Sequence, residues 1–264
     1  MTKAPALFIG HGSPMNAIED SAAARGWAQA ARRFERPRAI IAVSAHWVTD
    51  GVRVMSNPNP RTIHDFGRGF PQALFDVQYP APGDPVLAAD IVRRLASFGA
   101  RLDDSWGLDH GTWSVLLHMC PEADVPIVQV SLDMRRSPQE HYAIGQALAP
   151  LRDENILIMG SGNIVHNLAN FFKYRGQPMP WDLNFGQYIT GAIAAGDDTA
   201  VQRYQSHPDA AQAAPDWEHF VPLLYVLGAK TAAEKAELFN AENFPGIAMA
   251  SIGFGLSPHM KAPA

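Results

Sequence analysis

The sequence predicts a single α/β domain over residues 1–264, with a central, mostly parallel or mixed sheet flanked by helices and a site at the strand carboxyl ends. Two observations predict the class. Uncharged apolar runs of strand length, Leu7-Phe8-Ile9, Ala39-Ile40-Ile41-Ala42-Val43 and Ile156-Leu157-Ile158-Met159, read as strands buried on both faces. Segments with helical spacing alternate with them, and no composition shift, linker, fixed-period repeat or low-complexity tract divides the chain. A third observation places the site: each run leads through small residues to a histidine, at His11, His46 and His166. Open α/β sheets bind their ligands beyond the carboxyl ends of the strands.

Taken in order, the first strand passes through Gly10-His11-Gly12, where glycine lets the backbone turn sharply and a ligand approach. Ser21 to Phe34 carries Trp27 and Phe34 at helical spacing and is stopped by Pro37. Ala39 to His46 repeats the opening grammar, and the two histidines point to neighbouring strand ends about 5 Å apart. Val52 to Ser56 reads as a strand, and Asn57 to Pro82 as a long Pro- and Gly-rich binding loop containing Thr62-Ile63-His64-Asp65-Phe66-Gly67. Asp84 caps a helix over Pro85 to Phe98. Leu108-Asp109-His110-Gly111-Thr112-Trp113 opens a helix through Met119; Val125 to Leu132 reads as a strand and Pro138 to Leu151 as a helix. His166 falls on a turn or helix start past the strand at 156–159. Trp181 to Tyr204 is helical with a break near Gly196, Pro208 to Pro215 is a polar alanine-rich connector, Trp217 to Tyr225 begins a helix, and Gly246 to Gly255 closes as a small-residue strand.

With 47% hydrophobic and 18% charged residues the composition is that of a folded globular chain. A net charge of −5 and a pI near 6.0 argue against nucleic acid or an anionic membrane as partner and favour a small molecule. The single cysteine, Cys120, excludes an internal disulfide, and its apolar setting reads as core filling. No apolar leader follows Met1-Thr2-Lys3 and no run reaches membrane-span length, which predicts a cytoplasmic protein, as a monomer or small homo-oligomer.

Histidine is the unusual component. There are ten, and His11, His46, His110, His166 and His219 stand at element ends, the last beside Glu218. Neutral imidazole is the commonest protein ligand for borderline divalent metals. No sequence-local zinc motif is present, so ligands would converge from separate elements. The plainer readings are turn histidines at these positions, a hydrogen-bonded core residue at His118, and surface residues at His141, His207 and His259. His64 either lines an entrance or sits solvated on its loop. Ser13 and Asn163 lack the Gly-x-Ser-x-Gly elbow of a serine hydrolase, and Gly160-Ser161-Gly162 lacks the lysine of a phosphate loop. Trp47, Trp113, Phe66 and Phe70 either flank an aromatic ligand or pack the core.

Six blocks in order, His11-Gly12-Ser13-Pro14-Met15, Ser44-Ala45-His46-Trp47, Thr62 to Gly67, Leu108 to Trp113, Ser161 to Asn167 and Glu218-His219-Phe220-Val221-Pro222-Leu223-Leu224, resemble the 4,5-DOPA extradiol dioxygenase family. This is the single-chain branch of the class III ring-opening dioxygenases related to protocatechuate 4,5-dioxygenase, and the resemblance runs from residue 5 to about 255. It implies an extradiol enzyme that inserts both atoms of O2 into a catechol, DOPA-like or another small aromatic diol. It also implies a divalent metal, with zinc as the ion expected to be found bound and Fe(II) as the one ring cleavage needs, because zinc has no accessible second oxidation state. By position, His11, His46, His166 and His219 are the implied metal ligands, with Glu218 as the alternative ligand because the wider class uses a glutamate. His110 and His166 are the implied acid/base residues, and Ser13, Met15, His64 and Phe66 the implied substrate contacts. Adjacent residues on a helix diverge by roughly 100°, so sequence alone leaves open whether Glu218 or His219 points inward. Two other functions fit the same histidines: a zinc hydrolase that activates a bound water, and a Memo-like binding protein without activity.

Overall fold

The computed structural model describes residues 3–173, 177, 179–244 and 246–258. Six strands form one sheet: β1 (Ala6–Gly10), β2 (Ala39–Ser44), β3 (Ile127–Gln129), β4 (Ile156–Gly162), β5 (Glu237–Phe239) and β6 (Ser251–Phe254), in the order β3-β2-β4-β1-β6-β5. The first four in that order are parallel to one another, while β6 and β5 join antiparallel at the β1 edge, so the sheet is mixed.

Alternate residues of one strand face opposite ways, and here both sides meet a core. Phe8, Ile41 and Ile158 pack with Ile144, Leu223 and Val226, whereas Leu7, Ile9, Ile40 and Met159 pack with Trp27, Trp113 and Leu116. The first group puts α4 (Pro138–Leu148) and α7 (Pro222–Ala229) on one face. The second puts α1 (Ala22–Ala31) and α3 (His110–Met119) on the other, and α2 (Pro85–Arg94), α5 (Leu168–Lys173) and α6 (Pro180–Ala195) complete the main helices. Two covered faces are why these strands read as unbroken apolar runs.

Local chemistry sets the helix ends. Asp84 accepts from Leu87 N ahead of Pro85, and Ser137 with Glu140 forms a capping box ahead of Pro138. The helix expected to Phe98 is α-helical to Arg94 with a 3-10 turn at Ala96–Phe98, and the one expected to Leu151 continues past Leu148 as 3-10.

Several expectations are corrected. The strand over Val125 to Leu132 is two pieces, Ile127–Gln129 in the sheet and Leu132–Asp133 paired with Val48–Thr49, because Ser131 turns aside to accept from Arg53 N at 2.8 Å. The strand over Gly246 to Gly255 likewise splits into Ile247–Ala248 and Ser251–Phe254. Trp217 begins a 3-10 turn, Trp217–His219, and the α-helix starts only at Pro222. The connector Pro208 to Pro215 contains a helical turn, Ala210–Ala213, with Ala210, Ala213 and Ala214 buried at i, i+3, i+4 spacing.

His141 is 1% exposed, not a surface residue. It shares the stripe of Ile144, Gly145 and Leu148, and its Nδ1 lies 3.0 Å from Tyr225 Oη. His207 is half-buried against Tyr188 and Phe185. His118 bonds Asn16 O at 2.8 Å as a core histidine would, and His259 lies outside the described residues.

Candidate metal centre

His11 follows β1 directly and His46 comes two residues after β2; the registers Gly10 with Gly162 and Ser44 with Ser161 put both at the same end of the sheet. The two strands are not neighbours as expected. β4 runs between them, which separates their backbones by about 10 Å. The side chains close that gap because β4 ends in Gly160-Ser161-Gly162, too small to fill the space above it, and the two Nε2 atoms stand 3.1 Å apart.

The hydrogen-bond network assigns both tautomers. Ser161 Oγ gives its single proton to Gly111 O at 2.5 Å, so it accepts from His11 Nδ1 at 3.0 Å. His46 Nδ1 faces Asp65 Oδ2 at 3.3 Å, and a carboxylate only accepts. Both rings therefore carry the proton on Nδ1 and turn an Nε2 lone pair toward each other. Two lone pairs at that separation repel unless a cation lies between them, and nitrogens bound to one metal at about 2.1 Å stand about 3 Å apart. The donor set fits a divalent metal.

His110 is the first residue of α3, after the N-cap Asp109, whose buried carboxylate accepts from Ser44 Oγ at 2.6 Å and Gln129 Nε2 at 2.8 Å. Asp65 Oδ1 lies 3.0 Å from His110 Nδ1 and accepts from His110 N at 2.9 Å. One carboxylate thus spans His46 and His110. Ligand atoms of His11, His46 and His110 all lie within 4.8 Å of one another.

His219 enters from the 3-10 turn laid across the end of β4, with its ring centroid 5.4 Å from that of His11 and 5.1 Å from that of His46. Asn163 N donates to His219 O at 2.8 Å, and a Cβ on Gly162 would collide with that carbonyl, so only glycine lets the turn sit so close. His166 stacks on His219 at 3.5 Å with 4° between the rings. His219 faces the cavity; Glu218 is off its wall, with its carboxylate 3.7 Å from His219 Nδ1.

Burial, then the neighbouring imidazoles, pushes His11 and His219 well below the ordinary histidine range. Burial takes His46 to about 3 and His166 to about 4. All four are neutral near pH 7, the form that binds a metal or takes a proton. For Asp65 burial opposes ionisation, but the hydrogen bonds and charge of His110 and His46 outweigh it and hold the carboxyl at about 2.

The histidines form the floor of a cavity of about 450 Å³ walled by Ser13, Pro14, Phe66, Phe70, Leu168, Phe171, Phe172 and Ile247. Ser13 and Phe66 are thus on the wall, whereas Met15 packs into the core and His64 bonds Val77 O at 3.0 Å. Trp47 and Trp113 are core residues. Asp65, Ser161 and Asp109 were missed as functional residues; Asp65 had a signal, a lone carboxylate beside His64 in a predicted binding loop.

The whole assembly has close relatives. Residues 5–255 match the family described as the catalytic LigB subunit of aromatic ring-opening dioxygenase. The chain belongs to that LigB family. Membership makes it an extradiol ring-cleaving dioxygenase. The 4,5-DOPA dioxygenase extradiol of Escherichia coli K12 is 46% identical over 234 residues, 86% of each chain. That of Beta vulgaris is 39% identical over 241 residues, covering 89% of this chain and 90% of its own. A crystal structure of the uncharacterized protein JW3007 from Escherichia coli K12 superposes with a TM-score of 0.82 at 37% identity, over 95% of this chain and 99% of that one. Among the described residues no helix is long and apolar enough to cross a membrane.

Proposed function

We propose that this dioxygenase opens a catechol beside its two hydroxyls with O2, at a divalent metal held by His11, His46 and His219. The observation that carries the reading is the pair of Nε2 lone pairs 3.1 Å apart, each fixed from behind by an acceptor. Divalent iron would supply the electron relay between diol and O2, which zinc cannot. His219 suits the third position because its ring stands nearly equidistant from the other two, 5.4 Å from that of His11 and 5.1 Å from that of His46.

The chain's own residues supply the rest. Ser161 and Asp65 orient the ligands. His110, with Nδ1 3.0 Å from Asp65 Oδ1, would take a hydroxyl proton from the diol at Nε2, and His166, neutral and stacked on His219, would return one. The apolar wall excludes water from the reacting ring.

A second ligand set is favoured by the tight grouping of His11, His46 and His110, in which His110 replaces His219. Anaerobic Fe(II) loading followed by a panel of catechols and air should consume O2 and give a yellow ring-opened product. Metal content separates the sets: His219→Ala loses the ion under the first, His110→Ala under the second, His11→Ala under both. No O2 uptake with any catechol would overturn the proposal.

A further inference from the structure

We propose that Asp109 is a positioning residue: acting through Ser44, it fixes the start of α3 against the turn after β2 and so sets His110 relative to His46. This rests on the proposed function, in which His110 takes a diol proton beside that ligand. Three elements meet in one buried polar network. Ser44 ends β2, Gln129 ends β3 and Asp109 precedes α3, and all three are 0% exposed. Asp109 Oδ1 accepts from Ser44 Oγ at 2.6 Å and from Thr112 N at 3.3 Å, while Oδ2 accepts from Gln129 Nε2 at 2.8 Å. Ser44 gives its one proton to Asp109, which leaves its oxygen to accept from His46 N at 3.2 Å. The relay therefore runs from the backbone of His46 to the residue before His110.

Packing leaves that relay little slack. A Cβ on Gly111 would lie 2.6 Å from Ser44 Oγ and 3.0 Å from His46 Cδ2, so α3 begins in contact with the His46 turn. The ring centroids of His46 and His110 stand 4.0 Å apart. The same helix turn backs a third imidazole, because Gly111 O accepts from Ser161 Oγ, the partner of His11 Nδ1. A buried network whose bonds are made fixes one geometry, since a shift would leave polar groups unpaired. Asp65 aligns the rings of His46 and His110; Asp109 aligns the backbones that carry them.

Reach separates this role from helix capping. Serine caps a helix as well as aspartate does, but it is shorter and has a single oxygen, so Asp109→Ser keeps the bond from Thr112 N and drops Ser44 and Gln129. Asp109→Asn keeps Ser44 through its oxygen, and Gln129 can turn its amide to accept from the new amide nitrogen with Oε1, which is buried without a hydrogen-bond partner among the described residues. On Fe(II)-loaded enzyme, at a temperature where circular dichroism shows each variant folded, Ser44→Ala and Asp109→Ser should each lower kcat at least about tenfold with KM changed less than about threefold, and Asp109→Asn should stay within about threefold of wild type. Under argon, 4-nitrocatechol added to zinc-loaded protein reads the proton step by its absorption. The fraction with both hydroxyls ionised should fall in the first two variants and return in Asp109→Asn. Wild-type kcat and dye spectrum in Ser44→Ala, or an Asp109→Asn as impaired as Asp109→Ser, overturns the inference and leaves the proposed function standing. If the wild-type enzyme opens no catechol, both fall.

Discussion

At the scale of single residues, Ser161 and Asp65 decide which nitrogen each histidine presents, and the centre depends on them as much as on the imidazoles. Asp65 is the more exposed to test. Its carboxylate lies 3.3 Å from His46 Nδ1 and 3.0 Å from His110 Nδ1, and an amide at that position would turn a donor toward one of the two rings. Asp65→Asn should lower kcat/KM by about 10–100-fold, with a shifted pH profile and a small change in Tm, because the side chain stands on a loop. Asp65→Glu should restore part of the activity. Steady-state kinetics across pH with metal analysis checks this; wild-type values for Asp65→Asn would remove Asp65 from the mechanism. His11 and His46 were legible because each ends an apolar run. Ser161 was not, and Asp65 only as a carboxylate in a predicted binding loop, since their roles come from contacts across 19 to 150 positions of sequence.

At the scale of elements, the small-residue end of β4 is what lets two non-adjacent strands share a site. Gly160-Ser161-Gly162 leaves the room that His11 and His46 lean into and that the Trp217–His219 turn lies upon. Gly162→Ala should drive a Cβ into the His219 carbonyl, cost about 1–3 kcal/mol and weaken metal binding as His219 shifts. Gly191→Ala, in α6 with nothing near its Cβ, is the control and should stabilise the fold by about 0.5–1 kcal/mol. Urea melts and metal titration of both variants read the two effects; metal binding unchanged in Gly162→Ala would refute the coupling. The alternating strand and helix segments were visible in sequence, but their internal breaks were not. Ser131 leaves its strand for a hydrogen bond to Arg53, a partner 78 residues away.

For the molecule as a whole, burial of neutral histidines makes the fold acid-labile. His141, far from the centre, is held by burial at about 4 against an ordinary 6.5. Between those values the unfolded chain binds the proton and the folded chain does not, so stability falls as pH drops through that window. A shift of that size is worth about 3 kcal/mol. Urea midpoints should therefore fall between pH 6.5 and 4, and His141→Gln, which keeps an amide for Tyr225, should flatten the fall. An equal slope in the variant would assign the lability elsewhere.

The sequence by itself determined the α/β class, the strands around 7–9, 39–43 and 156–159, and five histidines at element ends, because burial on both faces and local turn chemistry leave marks in the composition of short segments. Only the tertiary structure decided the strand order that puts β4 between β1 and β2, the turning inward of His219 in place of Glu218, and the carboxylate that joins His46 to His110. Those depend on which distant segments meet, and spacing along a chain carries no record of it.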